Sequence, residues 1–384
     1  MLRLFAPIFI ALLLGGRALA APDIVVVLVD DLGAAVIGPE RRAVTSPTPN
    51  IDALAVAGTT YTQAYSAPVC VPSRAMLLSG RWPYRNSMGA IWSNGPSPPR
   101  SVVMLSEHLR AHGYATELVG KWGLGFKAGK HPLDQGFDHF FGFANATPNY
   151  FGDDPDAPLW RDRARIKNSG YVTDTLAAEA VRILQSTRTK PLFLYIPLTA
   201  THDPLQTSLA VAVQGVDRAL GRVVAAAKPD TLFVFAGDNG RRGNAPLRGG
   251  KYSIWEGGVR VPFILRWTGR IGAGAQSATP VSLLDVVPTV LAAAAVPPTE
   301  SLDGLNLLGV VPPEREIFFG AYRRRGSAVR AGRWKLYRGY EGMPIRLYDV
   351  LADKAEKANL AGTNPDVVRS MSAALDRWLG LIND

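Results

Sequence analysis

The run Asp23-Ile24-Val25-Val26-Val27-Leu28-Val29 constrains this chain more than any other stretch. Successive side chains of a strand face opposite sides, so a strand that is aliphatic at every position leaves no face for water. Such a strand belongs inside a parallel sheet with helices packed on both faces. The stretch 191–196 reads as another buried strand, 114–119, 231–236 and 263–267 read as further strands, and helical stretches at 49–57, 106–112, 174–186 and 211–227 alternate with them. The alternation predicts an α/β fold: a large, mostly parallel β-sheet sandwiched by helices.

The ends of the chain differ from its middle. Arg3, the apolar stretch 4–14 and Ala18-Leu19-Ala20 have the order of a secretory signal peptide over 1–20, cleaved after Ala20. The apolar stretch is too short to span a bilayer, which takes ~20 residues, and no later run is longer, so no stable membrane insertion is expected. The expected location is exported: periplasmic or secreted. Residues 21–308 read as one catalytic domain. Beyond them Pro312-Pro313 mark a linker, short alternating strands fall at 327–337 and 346–349, and a helix covers 364–379. These features predict a small C-terminal α+β subdomain over 309–384.

Net charge is +10, from 42 basic and 32 acidic residues, which favours anionic partners. No helix-turn-helix, zinc-finger or RNP pattern is present, so nucleic acid is ranked last. Arg323-Arg324-Arg325 reads as a solvated loop and Asn145-Ala146-Thr147 as a glycosylation acceptor. His108, His112 and His139 lack metal-ligand spacing and read as structural, and the aromatic stretch 136–142 reads as packed wall.

Polar residues recur where the strands end, on the edge at which open α/β sheets hold ligands. Asp30-Asp31 follow the first strand, Gly120-Lys121-Trp122-Gly123 another, His202 a third, and Asp238-Asn239-Gly240 a fourth; Lys251 and Glu256 lie in the glycine-rich loop after it. Taken alone, Asp30-Asp31 suit either a divalent cation or a helix cap followed by a solvated carboxylate. The only cysteine, Cys70, lies in Pro68-Val69-Cys70-Val71-Pro72-Ser73-Arg74, near the start of a short helix at 75–79 closed by Gly80. A lone cysteine is either apolar filler or a reactive group, and in an oxidising compartment it has no partner to staple.

Cys-x-Pro-Ser-Arg at Cys70–Arg74, with Asp30-Asp31, Gly120-Lys121-Trp122, His202, Asp238-Asn239-Gly240, the 251–262 loop and the C-terminal Arg333-Trp334-Lys335-Leu336 and Leu347-Tyr348-Asp349 in that order, resembles the sulfatase family of the alkaline phosphatase superfamily. The resemblance covers nearly the whole mature chain. It implies a formylglycine-dependent sulfuric ester hydrolase acting on a sulfated small molecule or carbohydrate. Cys70 would be oxidised by a formylglycine-generating maturation enzyme; one hydroxyl of the hydrated aldehyde would attack sulfur, and the second would later expel sulfate. Asp30, Asp31, Asp238 and Asn239, together with the converted Cys70, would hold Ca²⁺, with Mg²⁺ as the alternative. Arg74 and Lys121 would stabilise the diol, Lys251 the sulfate oxygens, and His202 would protonate the leaving oxygen.

One position departs from the family. A histidine normally follows the Lys-Trp pair, where this chain has Gly123, and that histidine is the expected base for regeneration. His131, eight residues on, water and Lys121 are the candidate substitutes; Gly123→His is expected to raise turnover if the missing base is the bottleneck, and no change would mean that another group does that job. The segment from His202 to Asp238 also looks shorter than in the family, which implies a more open pocket. The alternatives are a phosphodiester or phosphonate monoester hydrolase of the same superfamily, or a non-catalytic homologue that binds sulfated glycans.

Overall fold

A computed structural model describes residues 21–37, 46–86, 98–144, 149–203, 205–320, 326–339 and 343–383. The signal segment, Arg323-Arg324-Arg325 and Asn145-Ala146-Thr147 lie outside the described residues.

Ile24–Val29 is the strand its composition demands. Ile24, Val26 and Leu28 face one core, Val25, Val27 and Val29 the other, and all six are buried. The first core is closed by the helices Cys70–Ser79, Leu105–Ala111 and Val286–Ala293; the second by Pro49–Val56, Val172–Gln185 and Leu209–Ala226. Burying each such side chain contributes about 1.5–3 kcal/mol, so a charge placed at Val27 would remove a contact and strand an unpaired ion.

Leu232–Gly237 and Leu192–Leu198 flank this strand in parallel; Ala115–Lys121 and His139–Phe143 continue the parallel series on one side. Phe263–Arg266, Thr59–Tyr61 and Ala275–Ser277 extend the other edge, and a hairpin of Leu159–Arg161 with Ala164–Ile166 closes the far edge, giving ten strands. Phe263–Arg266 runs antiparallel to its neighbour Leu232–Gly237, so the sheet is mixed at its margins.

Three local expectations change. The aromatic stretch read as wall supplies the parallel strand His139–Phe143, with Gly142 opposite Gly120; a side chain at Gly142 would meet the Gly120 carbonyl oxygen at 1.9 Å, so close backbone approach, not a loop, explains these glycines. The helix expected from 75 begins at Cys70, because proline is tolerated in a first turn and Pro72 occupies it. The apolar stretch after Val281, not read as an element, forms the helix Val286–Ala293.

Ile317–Gly320, Ser327–Ala331, Trp334–Arg338 and Arg346–Asp349 form a separate antiparallel meander. Met371, Leu375 and Trp378 of the helix Pro365–Asn383 cover one face. Ile317, Phe319 and Ala328 on the other face pack against Tyr65, Ile254 and Val259 of the large unit. Between them lies a buried ionic cluster: Lys335 Nζ is 2.9 Å from Glu256 Oε1 and 3.1 Å from Glu356 Oε1, and Tyr65 donates to Glu256 at 3.2 Å. Among the described residues no helix is long and apolar enough to cross a membrane.

Candidate active site

The parallel strands end on one edge, and Asp30, Asp31, Cys70, Arg74, Lys121, His202, Asp238, Asn239 and Lys251 gather there, whereas Glu256, named with Lys251 in the loop, turns instead to Lys335. Asp30 and Asp31 leave the first strand at a turn in which Asp31 has φ 60°, a left-handed value that a short polar side chain tolerates. Thr201 fixes that turn, its N–H donating to the Asp30 carbonyl at 2.8 Å and its hydroxyl to the Asp31 carbonyl at 3.1 Å. Asp238, at the end of Leu232–Gly237, accepts from the Asp31 N–H at 2.9 Å, and Asn239 donates its side-chain amide to Asp31 Oδ1 at 2.7 Å.

Cys70 opens the helix Cys70–Ser79, after extended Val69 and before the left-handed closing residue Gly80. Ser73, one turn in, donates to the carbonyls of Ala67 and Val69 and so holds the approach to the cysteine. Arg74 is completely buried: Nη2 reaches Asp238 Oδ2 at 3.0 Å and Asp30 Oδ2 at 3.5 Å, and Nη1 donates to the Lys121 carbonyl at 2.7 Å. Lys121 Nζ is 2.6 Å from Asp30 Oδ2, and Lys251 Nζ 2.7 Å from Asp31 Oδ1. His202 Nε2 stands 3.9 Å from Asp31 Oδ2.

Three carboxylates thus face three cations in a nearly dry cluster, and the titrations are displaced accordingly. Burial opposes the Asp30 carboxylate, but Lys121 and Arg74 outweigh it and hold Asp30 far below the ordinary range. Burial and the Asp30 charge push Asp238 up. Burial also raises the Cys70 thiol, against the pull of Lys121, so this sulfur is no thiolate nucleophile as it stands. Burial lowers His202, with Asp30 acting against it.

The donor set fits a hard divalent cation. Asp30 Oδ1 and Asn239 Oδ1 are buried oxygens without a hydrogen-bond partner. One ligand atom each from Asp30, Cys70 and Asp238 lies within 4.8 Å of the others, as does one each from Asp30, Asp31 and His202. Oxygen donors crowded at this spacing repel one another, and a Ca²⁺- or Mg²⁺-class ion would relieve that repulsion.

Gly123 and His131 come out differently from the expectation. Gly123 has φ 77°, and a Cβ there would lie 3.2 Å from Arg74 Cδ, so the backbone that turns beneath Arg74 favours glycine. His131 is buried with its ring 4.4 Å from that of Phe126, and its Nδ1 accepts the Leu133 N–H at the start of the 3₁₀ turn Pro132–Gln135. Through Nδ1 it caps that turn.

Two supports of the site escaped sequence reasoning. Tyr150 donates to the His202 carbonyl at 2.7 Å and the Thr199 carbonyl at 3.0 Å. Arg241 reaches Asp203 Oδ1 at 2.6 Å and the Thr201 carbonyl at 3.3 Å. Arg241 could have been suspected from its place next to Asp238-Asn239-Gly240; nothing local marks Tyr150.

Comparison with known proteins agrees with this geometry. The sulfatase family profile matches residues 22–296. N-acetylgalactosamine-6-sulfatase of Rattus norvegicus is 33% identical over 87% of this chain and 75% of its own length, and arylsulfatase G of Mus musculus is 31% identical over 78% and 69%. The crystal structure of Ps i-CgsB in complex with k-i-k-neocarrahexaose superposes with a TM-score of 0.86 at 30% identity, covering 93% of this chain and 92% of that one.

Proposed function

This chain belongs to the sulfatase family and is a hydrolase of sulfuric esters; from that premise we propose that it removes sulfate from a sulfated carbohydrate, using a formylglycine made from Cys70 and a divalent cation. The observation that carries the reading is the convergence of Cys70 with Asp30 and Asp238 within 4.8 Å, beside Arg74 and Lys121. Asp30, Asp31, Asp238 and Asn239 would hold Ca²⁺, with Mg²⁺ the alternative, and the ion would supply Lewis-acid polarisation of the reacting oxygens. The hydrated aldehyde would supply the attacking hydroxyl and a second hydroxyl for release of sulfate.

The chain's own residues do the rest. Arg74 is anchored by two carboxylates and a carbonyl, so its charge is fixed before substrate arrives and needs no reorganisation in the transition state. Lys251, held above its ordinary pKa by Asp31 and Asp30 against the effect of burial, stays charged to bind sulfate oxygens. His202 gives a proton to the leaving oxygen. Pro72, Ser73 and Arg74 are buried, so an enzyme that converts Cys70 by reading this segment must meet it before the chain folds.

The carbohydrate assignment rests on the named relatives, one an N-acetylgalactosamine-6-sulfatase and one solved in complex with k-i-k-neocarrahexaose. Export through residues 1–20 and a division of the mature chain at 308/309 belong to the same reading. Rates on an aryl sulfate, a phosphate diester and a phosphonate ester test it. Sulfate should be cleaved fastest; a preference for phosphorus, or binding of sulfated sugar without turnover by matured protein, contradicts it.

A further inference from the structure

Lys251 and Tyr252 are neighbours that point to opposite environments. The Lys251 side chain is 5% exposed and pairs with Asp31, whereas Tyr252 is 38% exposed. The reversal is made by the backbone: Tyr252 has φ 74°, an outlier for a bulky aromatic residue, and its N–H donates to the Pro68 carbonyl, two residues before Cys70, at 2.9 Å. Strained residues of this kind persist where surrounding contacts over-determine them, and they cluster at ligand sites. Here the strain turns an aromatic ring outward beside the sulfate-binding lysine.

The ring does not stand alone. The Arg242 guanidinium lies 5.5 Å from its centroid and the Lys251 ammonium 5.7 Å. Lys251 N–H donates to the Arg241 carbonyl at 3.3 Å, so the two segments run side by side. Arg242 is exposed and, among the described residues, has no carboxylate partner; neighbouring Arg241 is taken by Asp203. A flat apolar surface with an unneutralised fork of donors beside it matches a sugar ring that carries an anionic substituent.

We propose that Tyr252 and Arg242 form a substrate subsite next to the sulfate pocket, where Tyr252 packs on the sugar and Arg242 binds a second anionic group, a sulfate or carboxylate, of a doubly charged carbohydrate. The proposal rests on the sulfatase reading above and names the substrate class of that same site. Tyr252 directly follows the lysine that would hold the scissile sulfate, a step of about 3.8 Å between Cα atoms, so the sugar bearing that sulfate is within its reach. The net charge of +10 draws such polyanions to the surface in general; Arg242 gives the attraction a position.

The test follows aryl sulfate hydrolysis by the matured full-length protein, with N-acetylgalactosamine 6-sulfate or its 4,6-disulfate as competitor. In the wild type the disulfate should compete at a concentration roughly ten-fold lower than the monosulfate. Arg242→Gln should bring the two within about two-fold, and Tyr252→Gly, which also relieves the backbone, should weaken both sugars by about five-fold or more. Arg242→Met, a second exposed variant of different volume, should reproduce the Arg242→Gln result. A wild type without disulfate preference, or an Arg242 variant that keeps it, overturns the subsite while leaving sulfatase activity in place. A wild type that cleaves no sulfate ester overturns the parent reading and the subsite with it.

Discussion

Arg241 Nη2 lies 2.6 Å from Asp203 Oδ1, tying the residue after His202 to the loop that carries Asp238 and Asn239. Both partners are partly exposed, so the pair adds little to stability, on the order of 0–1 kcal/mol. Its value is positional. With Tyr150 on the His202 carbonyl, it holds the backbone that carries the imidazole, which under the proposed mechanism would set where His202 stands relative to the leaving oxygen.

Asp203→Asn and Arg241→Met should therefore leave the melting temperature nearly in place and lower kcat by about ten-fold on a sugar sulfate, since small misplacements of a catalytic group are costly. The loss should be smaller on 4-nitrophenyl sulfate, whose leaving group hardly needs a proton. Equal losses on both substrates would remove the positioning role.

The large sheet and most of the site were readable because their signals are local. A strand with no polar face, a lone cysteine before proline and arginine, and carboxylates at strand ends each mark themselves within a few residues. Lys335 shows what is hidden: it sits in a short alternating strand like a solvent-facing residue, yet it is fully buried because Glu256 and Glu356 reach it from other parts of the chain. Gly123 was visible as a departure, but only the backbone angle shows that glycine is the residue this turn prefers. Contacts between distant segments leave no periodicity to read.

Gly123→His accordingly should not raise turnover. A side chain at φ 77° costs about 1–2 kcal/mol, and its Cβ would press on Arg74 Cδ at 3.2 Å. Steady-state rates should fall for Gly123→His and already for Gly123→Ala. A faster Gly123→His enzyme would show that the turn adapts and that a missing base limits the reaction.

Lys335→Met should destabilise the protein by about 3–5 kcal/mol, because it removes the cation paired with the buried Glu356 and leaves Glu256 with Arg260, 3.6 Å away, as its remaining ion pair. Lys335→Met combined with Glu256→Gln should cost less than the sum of the single changes, as measured by urea denaturation. Additive losses would mean that the cluster is not energetically coupled.

A cleft of about 370 Å³ away from the active site holds two carboxylates displaced in opposite directions. Burial pushes Glu117 up from 4.5 to about 7, with His139 pulling the other way. Glu179, despite burial, is brought down from 4.5 to about 2 by hydrogen bonds from Arg161 and Arg182. The raised group favours the fold below pH 4.5 and loses that contribution as pH rises through 7; the depressed group contributes above 4.5 and loses it as pH falls through 2. Melting curves should show Glu117→Gln gaining on the wild type at pH 8 relative to pH 5. Glu179→Gln should be less stable at pH 7, with the gap closing towards pH 2. A pH-independent difference for either variant would contradict its assigned titration.

In the proposed mechanism Cys70 is the precursor of the reactive group, beside Asp30, Asp238, Arg74 and Lys121. Mass spectrometry of the peptide containing residue 70, taken from catalytically active protein purified from its native host, tests this most directly. Formylglycine is expected at position 70, trapped as a hydrazone by an added hydrazide. An unmodified thiol in protein that cleaves sulfate esters at full rate would contradict it.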